Sequence, residues 1–240
     1  MQRVFLFLFF LFLPCIYSSV RHTETAVQLS SDSFSISPLS VCRQLYEEMK
    51  LEKRLDYTVF EQALAGYRKI DCANKDILTL IDFTKPSTEE RLFVLDINRK
   101  QILFSSLVSH GKNSGGNYAT SFSNENGSHK SSLGFYVTEN TYQGRNGYSL
   151  VLNGLEKGIN DRAKERAIVI HGAAYSNPSV AASSGRLGRS FGCPALPQAL
   201  NKPIINTIKN GTLLFIYADD PDYLSQSPIL ASDENAMKKG

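Results

Sequence analysis

Residues 171–197 read HGAAYSNPSVAASSGRLGRSFGCPALP. A short apolar run, Ala167–Ile170, precedes them and reads as a strand that delivers His171 at its tip, followed at once by Gly172. A loop dense in Ser, Gly and Ala follows and closes on Gly192–Cys193–Pro194. A thiol acts as a nucleophile when a base takes its proton, positive charge holds the thiolate, and a substrate can reach it. His171 is a base of near-neutral pKa. Arg186 and Arg189 bring positive charge shortly before Cys193; their plain alternative is as solvated loop charges. Gly192, without a side chain, lets a substrate come close to the backbone. The N–H groups of Gly192 and Cys193 are candidates to face a developing oxyanion, and Pro194 fixes the chain beyond them. As chemistry alone, this pattern competes evenly with a buried apolar thiol and a hydrogen-bonded strand-end histidine.

Outward from this stretch the chain reads as strands. Asp76–Phe83, Arg91–Ile97, Gln101–Val108, Gly134–Thr138, Tyr148–Leu152, Ala167–His171 and Thr212–Tyr217 are short and apolar, and the second and third form a hairpin about Asn98–Lys100. Residues 109–132 are a long polar loop, a length that inside a compact domain marks a functional or mobile segment. Pro197–Ile208 reads as a short helix that Pro203 either starts or breaks. Before the strands, Leu45, Met49, Leu55, Val59 and Leu64 recur at spacings of three to six, which predicts helices over 39–52 and 57–69, the second capped by Asp56. The expected fold is mainly β with few helices, preceded by a short N-terminal helical segment. Its division is a helical segment over 38–72, a catalytic domain over 73–220 and a polar tail over 221–240.

The first 37 residues read differently. Arg3 is followed by an apolar run from Val4 to Tyr17 and then by Ser18 and Ser19. The run is short for a bilayer span, and the pattern is that of a secretory signal peptide over 1–19, with a Ser/Thr-rich linker over 20–37. Export to the periplasm or cell envelope is therefore expected, with membrane contact only through the signal. Cys15 invites a lipoprotein reading, which Pro14 before it disfavours. Export leaves Cys42, Cys72 and Cys193. Cys42 and Cys72 are open to a disulfide or to burial as small apolar residues, and pairing them would leave Cys193 a lone thiol. The chain carries 26 Lys+Arg against 23 Asp+Glu, a net charge of +3 that is too small and too evenly spread to argue for nucleic acid.

Several separated motifs, in order, resemble the L,D-transpeptidase (YkuD-like) catalytic domain, and most its murein L,D-transpeptidase branch. IVIHGAAY (168–175) and GRLGRSFGCPAL (185–196) carry the likeness, with Ser190–Phe191–Gly192–Cys193 as the nucleophile turn. SSLGFYVT (131–138), SHGKNSGG (109–116) and SFSNENGS (121–128) are similar to that branch as well. The resemblance covers roughly residues 76–218. It implies a mixed β-sandwich or barrel in which Cys193 attacks the carbonyl of the L-centre of a peptidoglycan stem peptide, typically at the diaminopimelate–D-Ala bond. D-Ala leaves, a thioester forms, and an amine of a second stem resolves it. Water in place of the amine gives L,D-carboxypeptidase action. His171 is the base, and no metal or cofactor is implied.

The sequence also departs from that pattern. Phe191 stands where many members have His, and Ala195 where many have Arg. These two residues favour a competing reading, a wall-binding module that has lost activity. Arg186 and Arg189 are candidates to bind a substrate carboxylate in place of the missing arginine. Ser190, Gly172 and His110 are expected among the substrate-binding residues, Ser190 as the one that positions the turn, with His110 either facing the site from another strand end or lying in the core. His129 is expected to be solvated, and Tyr142 and Tyr148 to pack. A general exported cysteine peptidase is a third reading, but it wants an Asn or Asp to orient the base, and only Asn177 lies near His171 in sequence. The acyl acceptor and the oligomeric state stay open.

Overall fold

The computed structural model describes residues 38–231. The expected signal peptide and linker, and the last nine residues of the tail, lie outside the described residues. Two helices come first, α1 (Pro38–Glu48) and α2 (Tyr57–Lys69). Asp56 caps α2 as expected, its carboxylate accepting from Thr58 N at 2.8 Å. Gly66 lies inside α2, because a Cβ there would sit 2.2 Å from the ring of Phe135. The missing side chain lets the helix settle on the sheet, so the helical segment shares one core with the β domain.

The strands are β1 (Asn74–Asp82), β2 (Leu92–Asp96), β3 (Gln101–Ser106), β4 (Gly134–Gly144), β5 (Gly147–Gly154), β6 (Val169–Gly172), β7 (Ala195–Leu196) and β8 (Thr212–Tyr217). They form one sheet in the order β3-β2-β1-β8-β4-β5-β6-β7. The pairs β1–β8 and β6–β7 are parallel and the others antiparallel. The chain just after β3 returns to the far end of the order. Ser109 N–H donates to Ala195 O (2.8 Å) and Ala195 N–H to Ser109 O (3.3 Å). The sheet is thereby nearly closed, which protects its edges. The expected mainly β fold with few helices is the one observed. Strands β1, β2 and β8 read as almost unbroken apolar runs because both of their faces are covered. Side chains such as Leu78, Leu80, Phe93 and Phe215 are wholly buried, each contributing roughly 1.5–3 kcal/mol.

One expectation changes, and one choice left open is decided. After the short helix α3 (Pro178–Ser184), Pro203 lies inside α4 (Gln198–Ile208) rather than starting or breaking it; Ile204, Ile205 and Ile208 bury one face of that helix. The polar tail carries a further helix, α5, at Pro221–Gln226. Buried Glu156 ties it down, accepting from Tyr223 Oη (3.3 Å), from Ser227 Oγ and from Phe135 N (2.7 Å). Cys42 and Cys72 are free thiols; Cys42 is a buried apolar side chain of the core beneath α1. Among the described residues no helix is long and apolar enough to cross a membrane.

Candidate active site

Strand β6 holds His171 opposite Ala195 of β7, with Ser149 of β5 on its other side. Its ring Nδ1 lies 3.1 Å from Gly172 O. A carbonyl oxygen only accepts, so Nδ1 carries the hydrogen and Nε2 keeps a free lone pair. Burial lowers the imidazole pKa, and the Gly172 bond opposes this only in part. The ring is therefore neutral at pH 7, the form a base requires. Gly172 cannot be larger, since a Cβ would lie 2.9 Å from Asn201 Cβ in α4. It is a packing and orienting position more than a surface for substrate.

Cys193 is 9% exposed. Its sulfur sits against β6 two residues before His171, accepting from Val169 N–H (3.5 Å) and donating to Ala167 O (3.6 Å). Burial raises the thiol pKa, while the Val169 N–H and the charge of Arg166 lower it. The thiol thus lies against the strand that carries the imidazole, yet no hydrogen bond joins the two among the described residues. Both are pushed by burial towards their neutral forms, so the resting state is a neutral pair rather than an ion pair.

The turn before Cys193 is held by Ser190, whose Oγ accepts from Gly192 N (3.1 Å) and donates to Cys193 O (2.6 Å). Ser190 therefore positions the turn. The same bond already engages the Gly192 N–H, one of the two expected oxyanion donors. Gly192 has φ +124, and a Cβ on it would meet Lys130 O at 2.8 Å and Ile168 Cδ1 at 2.9 Å.

The loop 109–132 forms the facing wall and is knit by serines. Ser131 Oγ accepts from Gly111 N (3.0 Å) and donates to Gly192 O (3.2 Å), and Ser114 Oγ accepts from Ser131 N (2.9 Å). On its rim Phe191 is 66% exposed, its ring 4.6 Å from that of His129 and 4.6 Å from Lys112 Nζ. His129 is thus half-buried against an aromatic ring rather than simply solvated.

The other expected binding residues lie elsewhere. His110 is 1% exposed. Arg91 Nη2 donates to its Nδ1 (2.8 Å), leaving Nε2–H for Gly115 O (3.4 Å). Burial and Arg91 lower its pKa to about 4. His110 is thus a neutral core histidine and does not touch substrate; its backbone O accepts from Ser190 N (2.9 Å) and steadies the nucleophile turn. Arg189 bonds the carbonyls of Lys112 (3.1 Å) and Gly115 (2.9 Å), bracing the loop. Arg186 bonds Leu187 O (3.0 Å). Tyr148 packs, donating to Asn206 Oδ1 (2.8 Å), whereas Tyr142 is exposed. Two neighbours of the thiol carried no sequence signal, Arg166 and Tyr175, both within electrostatic reach of Cys193. A cleft of about 460 Å³ between Ser105, Pro178, Pro197 and Leu200 contains neither Cys193 nor His171. Among the described residues no group of three or more His, Cys, Asp or Glu could hold a metal ion.

The model of one protein family, the L,D-transpeptidase catalytic domain, matches residues 51–217. The chain belongs to that family. The match takes in β1 through β8 and includes α2. Among solved structures, an L,D-transpeptidase from Mycobacterium smegmatis is 13% identical, with a TM-score of 0.38 over 60% of this chain and 59% of that one. The helical cell shape determining protein of Campylobacter jejuni is 14% identical, with a TM-score of 0.41 over 68% of this chain and 55% of that one. An L,D-transpeptidase from Stackebrandtia nassauensis is 13% identical, with a TM-score of 0.36 over 76% and 78%. The chain spans about three-fifths of the length of the Mycobacterium smegmatis structure. Among curated proteins there is no significant match.

Proposed function

We propose that this L,D-transpeptidase-family chain is an exported enzyme of peptidoglycan in which Cys193 is the nucleophile and His171 its base. The observation that carries the reading is the fixed tautomer of His171. With Nδ1–H committed to Gly172 O, Nε2 is left as the acceptor, and the Cys193 thiol lies against the same strand, accepting from Val169 N–H two residues before His171. On substrate binding the thiol leaves Ala167 O and turns to Nε2; apo contacts of this kind tighten in the Michaelis complex. Sulfur attacks the carbonyl of the diaminopimelate L-centre as its proton passes to Nε2. The C–N bond to D-Ala breaks, the imidazolium returns the proton to the departing amine, and the acyl group stays on sulfur as a thioester. An acceptor amine then attacks, loses a proton to His171 and restores the thiol with a new amide; water yields a carboxylate instead. Export to the periplasm or envelope is supported by Arg3 and the apolar run Val4–Tyr17.

The test is intact-protein mass after incubation with a carbapenem, an electrophile that acylates a reactive thiolate. A single stable adduct on the native chain and none on Cys193→Ala is the expected result. No adduct on either, with Cys193 inert to iodoacetamide, would remove the enzyme and leave a muropeptide-binding module. The base has its own signature. Because burial holds the His171 pKa below its ordinary 6.5, kcat/KM should stay level through neutrality and fall only as the pH drops below about 6.5. A profile that instead rises steeply from pH 7 to 9 would show a free thiolate reacting without His171.

A further inference from the structure

Arg166 lies in the turn that leads into β6 and is half-buried. Its Nη1 donates to Ser123 O (2.7 Å) and Ser132 Oγ, and its Nη2 to Lys130 O (2.6 Å) and Ser128 Oγ (3.3 Å). Every one of these partners is neutral. The fifth donor, Nε–H, is buried and has no acceptor. Among the described residues no carboxylate pairs with this guanidinium. A partly buried cation without a counter-ion is costly to keep, and such a site is ready for an anion.

Two ionisable groups act on Arg166 electrostatically, Tyr136 and Cys193. Tyr136 is wholly buried, donates to Ser132 O (3.0 Å) and is pushed well above the ordinary phenol range, so it stays neutral. Cys193 remains. Gly192, the chain neighbour of Cys193, lies beside this guanidinium: a Cβ on it would lie 3.3 Å from Arg166 Nη2. We propose that Arg166 is the counter-cation of the Cys193 thiolate, a positioning residue that holds negative charge on sulfur at the two moments it carries it, during attack and when the C–S bond of the thioester breaks. The electron pair of that bond returns to sulfur beside Arg166 until His171 gives back the proton. The other groups facing the thiol cannot do this. His171 is neutral, Tyr175 is an acid pushed up to about 12, and Lys130 turns its ammonium to Ser121 Oγ (2.7 Å).

The proposal rests on Cys193 as the reacting group but not on peptidoglycan as substrate, so its test is chemical. The rate of iodoacetamide alkylation at Cys193, read by peptide mass against pH on the full chain, gives the midpoint of thiolate formation. Arg166→Gln should raise that midpoint by at least about one pH unit, roughly tenfold less thiolate at a given pH, with the alkaline plateau unchanged. Arg166→Lys, which keeps the charge, should stay near the native midpoint. Ser132→Ala removes one brace of the loop and leaves the charge, and should also leave the midpoint in place. The proposal is overturned if Arg166→Gln folds with a native midpoint, or if Ser132→Ala moves it equally, which would make the effect one of loop shape. Should Arg166→Gln not fold, a folded Arg166→Lys with its midpoint raised by a full unit would overturn it as well. Failure of carbapenem acylation with a normal Arg166 effect would sink the enzyme reading and leave this one standing.

Discussion

Replacing Gly192 by alanine is expected to cut the rate of Cys193 acylation by about a hundredfold while the protein still folds. The cause is local. Gly192 has φ +124, a region an L side chain rarely adopts, and the new methyl would press on Lys130 O at 2.8 Å and Ile168 Cδ1 at 2.9 Å. One contact is backbone of the serine-knit loop and the other is core, so neither yields cheaply. The turn must shift instead, breaking the bonds of Ser190 Oγ to Gly192 N and Cys193 O that aim the nucleophile. Strain of this kind costs about 1–3 kcal/mol, which for a domain of this size lowers Tm by several degrees. Carbapenem acylation rates beside calorimetry of the same sample check both numbers. A native acylation rate with native Tm would show that the turn needs neither the glycine nor its geometry.

The second large effect is on stability. Arg91 is wholly buried, and its guanidinium bonds Val108 O through Nε (3.0 Å) and Nη2 (2.7 Å), Lys85 O (3.0 Å) and His110 Nδ1. It also lies over the ring of Phe83, 4.9 Å from its centroid. Arg91→Ala leaves two buried carbonyls and an imidazole nitrogen without donors and opens a cavity. A loss of about 3–5 kcal/mol is expected, or a fall in Tm on the order of 10 °C. The same network fixes a pH response. The folded state refuses a proton on His110 until about pH 4, while the unfolded state takes one near 6.5. Stability should therefore be level above pH 6.5 and decline as the pH falls from there towards 4. In Arg91→Ala the repelling charge is gone, the His110 pKa rises, and the decline over that window should shrink. Thermal melts from pH 4 to 8 on both proteins give the comparison. A native acid decline in the variant would mean that Arg91 does not set the titration of His110.

Cys193, His171 and Gly192 could be named from the sequence because their chemistry is local: a histidine closing an apolar run, and a thiol after a glycine in a turn. Most strands could be read for the same reason. Continuous Val, Leu, Ile and Phe runs such as Ile77–Phe83 and Thr212–Tyr217 have few alternatives once both faces are buried. Strand β7 could not be read, since two residues carry no periodicity and exist as a strand only because β6 and Ser109 pair with them. The helix Pro178–Ser184 lies in a Ser/Ala-rich stretch with no apolar face to mark it. Arg186 and Arg189 were natural candidates by nearness in sequence, yet they brace neighbouring carbonyls instead. Arg166 precedes Cys193 by more than twenty residues and stands in an unremarkable polar turn. With Arg162 and Lys164 just before it, nothing in the sequence sets it apart.

The sequence by itself determined that an apolar sheet would form and supplied Cys193 and His171 as the candidate nucleophile and base, because residue type and period-two or period-3.6 patterning act over a few neighbours. The tertiary structure decided what surrounds the thiol. Closing the sheet brings the loop 109–132 onto the nucleophile turn, seats Arg166 among its serines and carbonyls, and buries His110 under Arg91. Charge and desolvation act through space between segments far apart in the chain, so the electrostatics of Cys193 exist only once those segments have met.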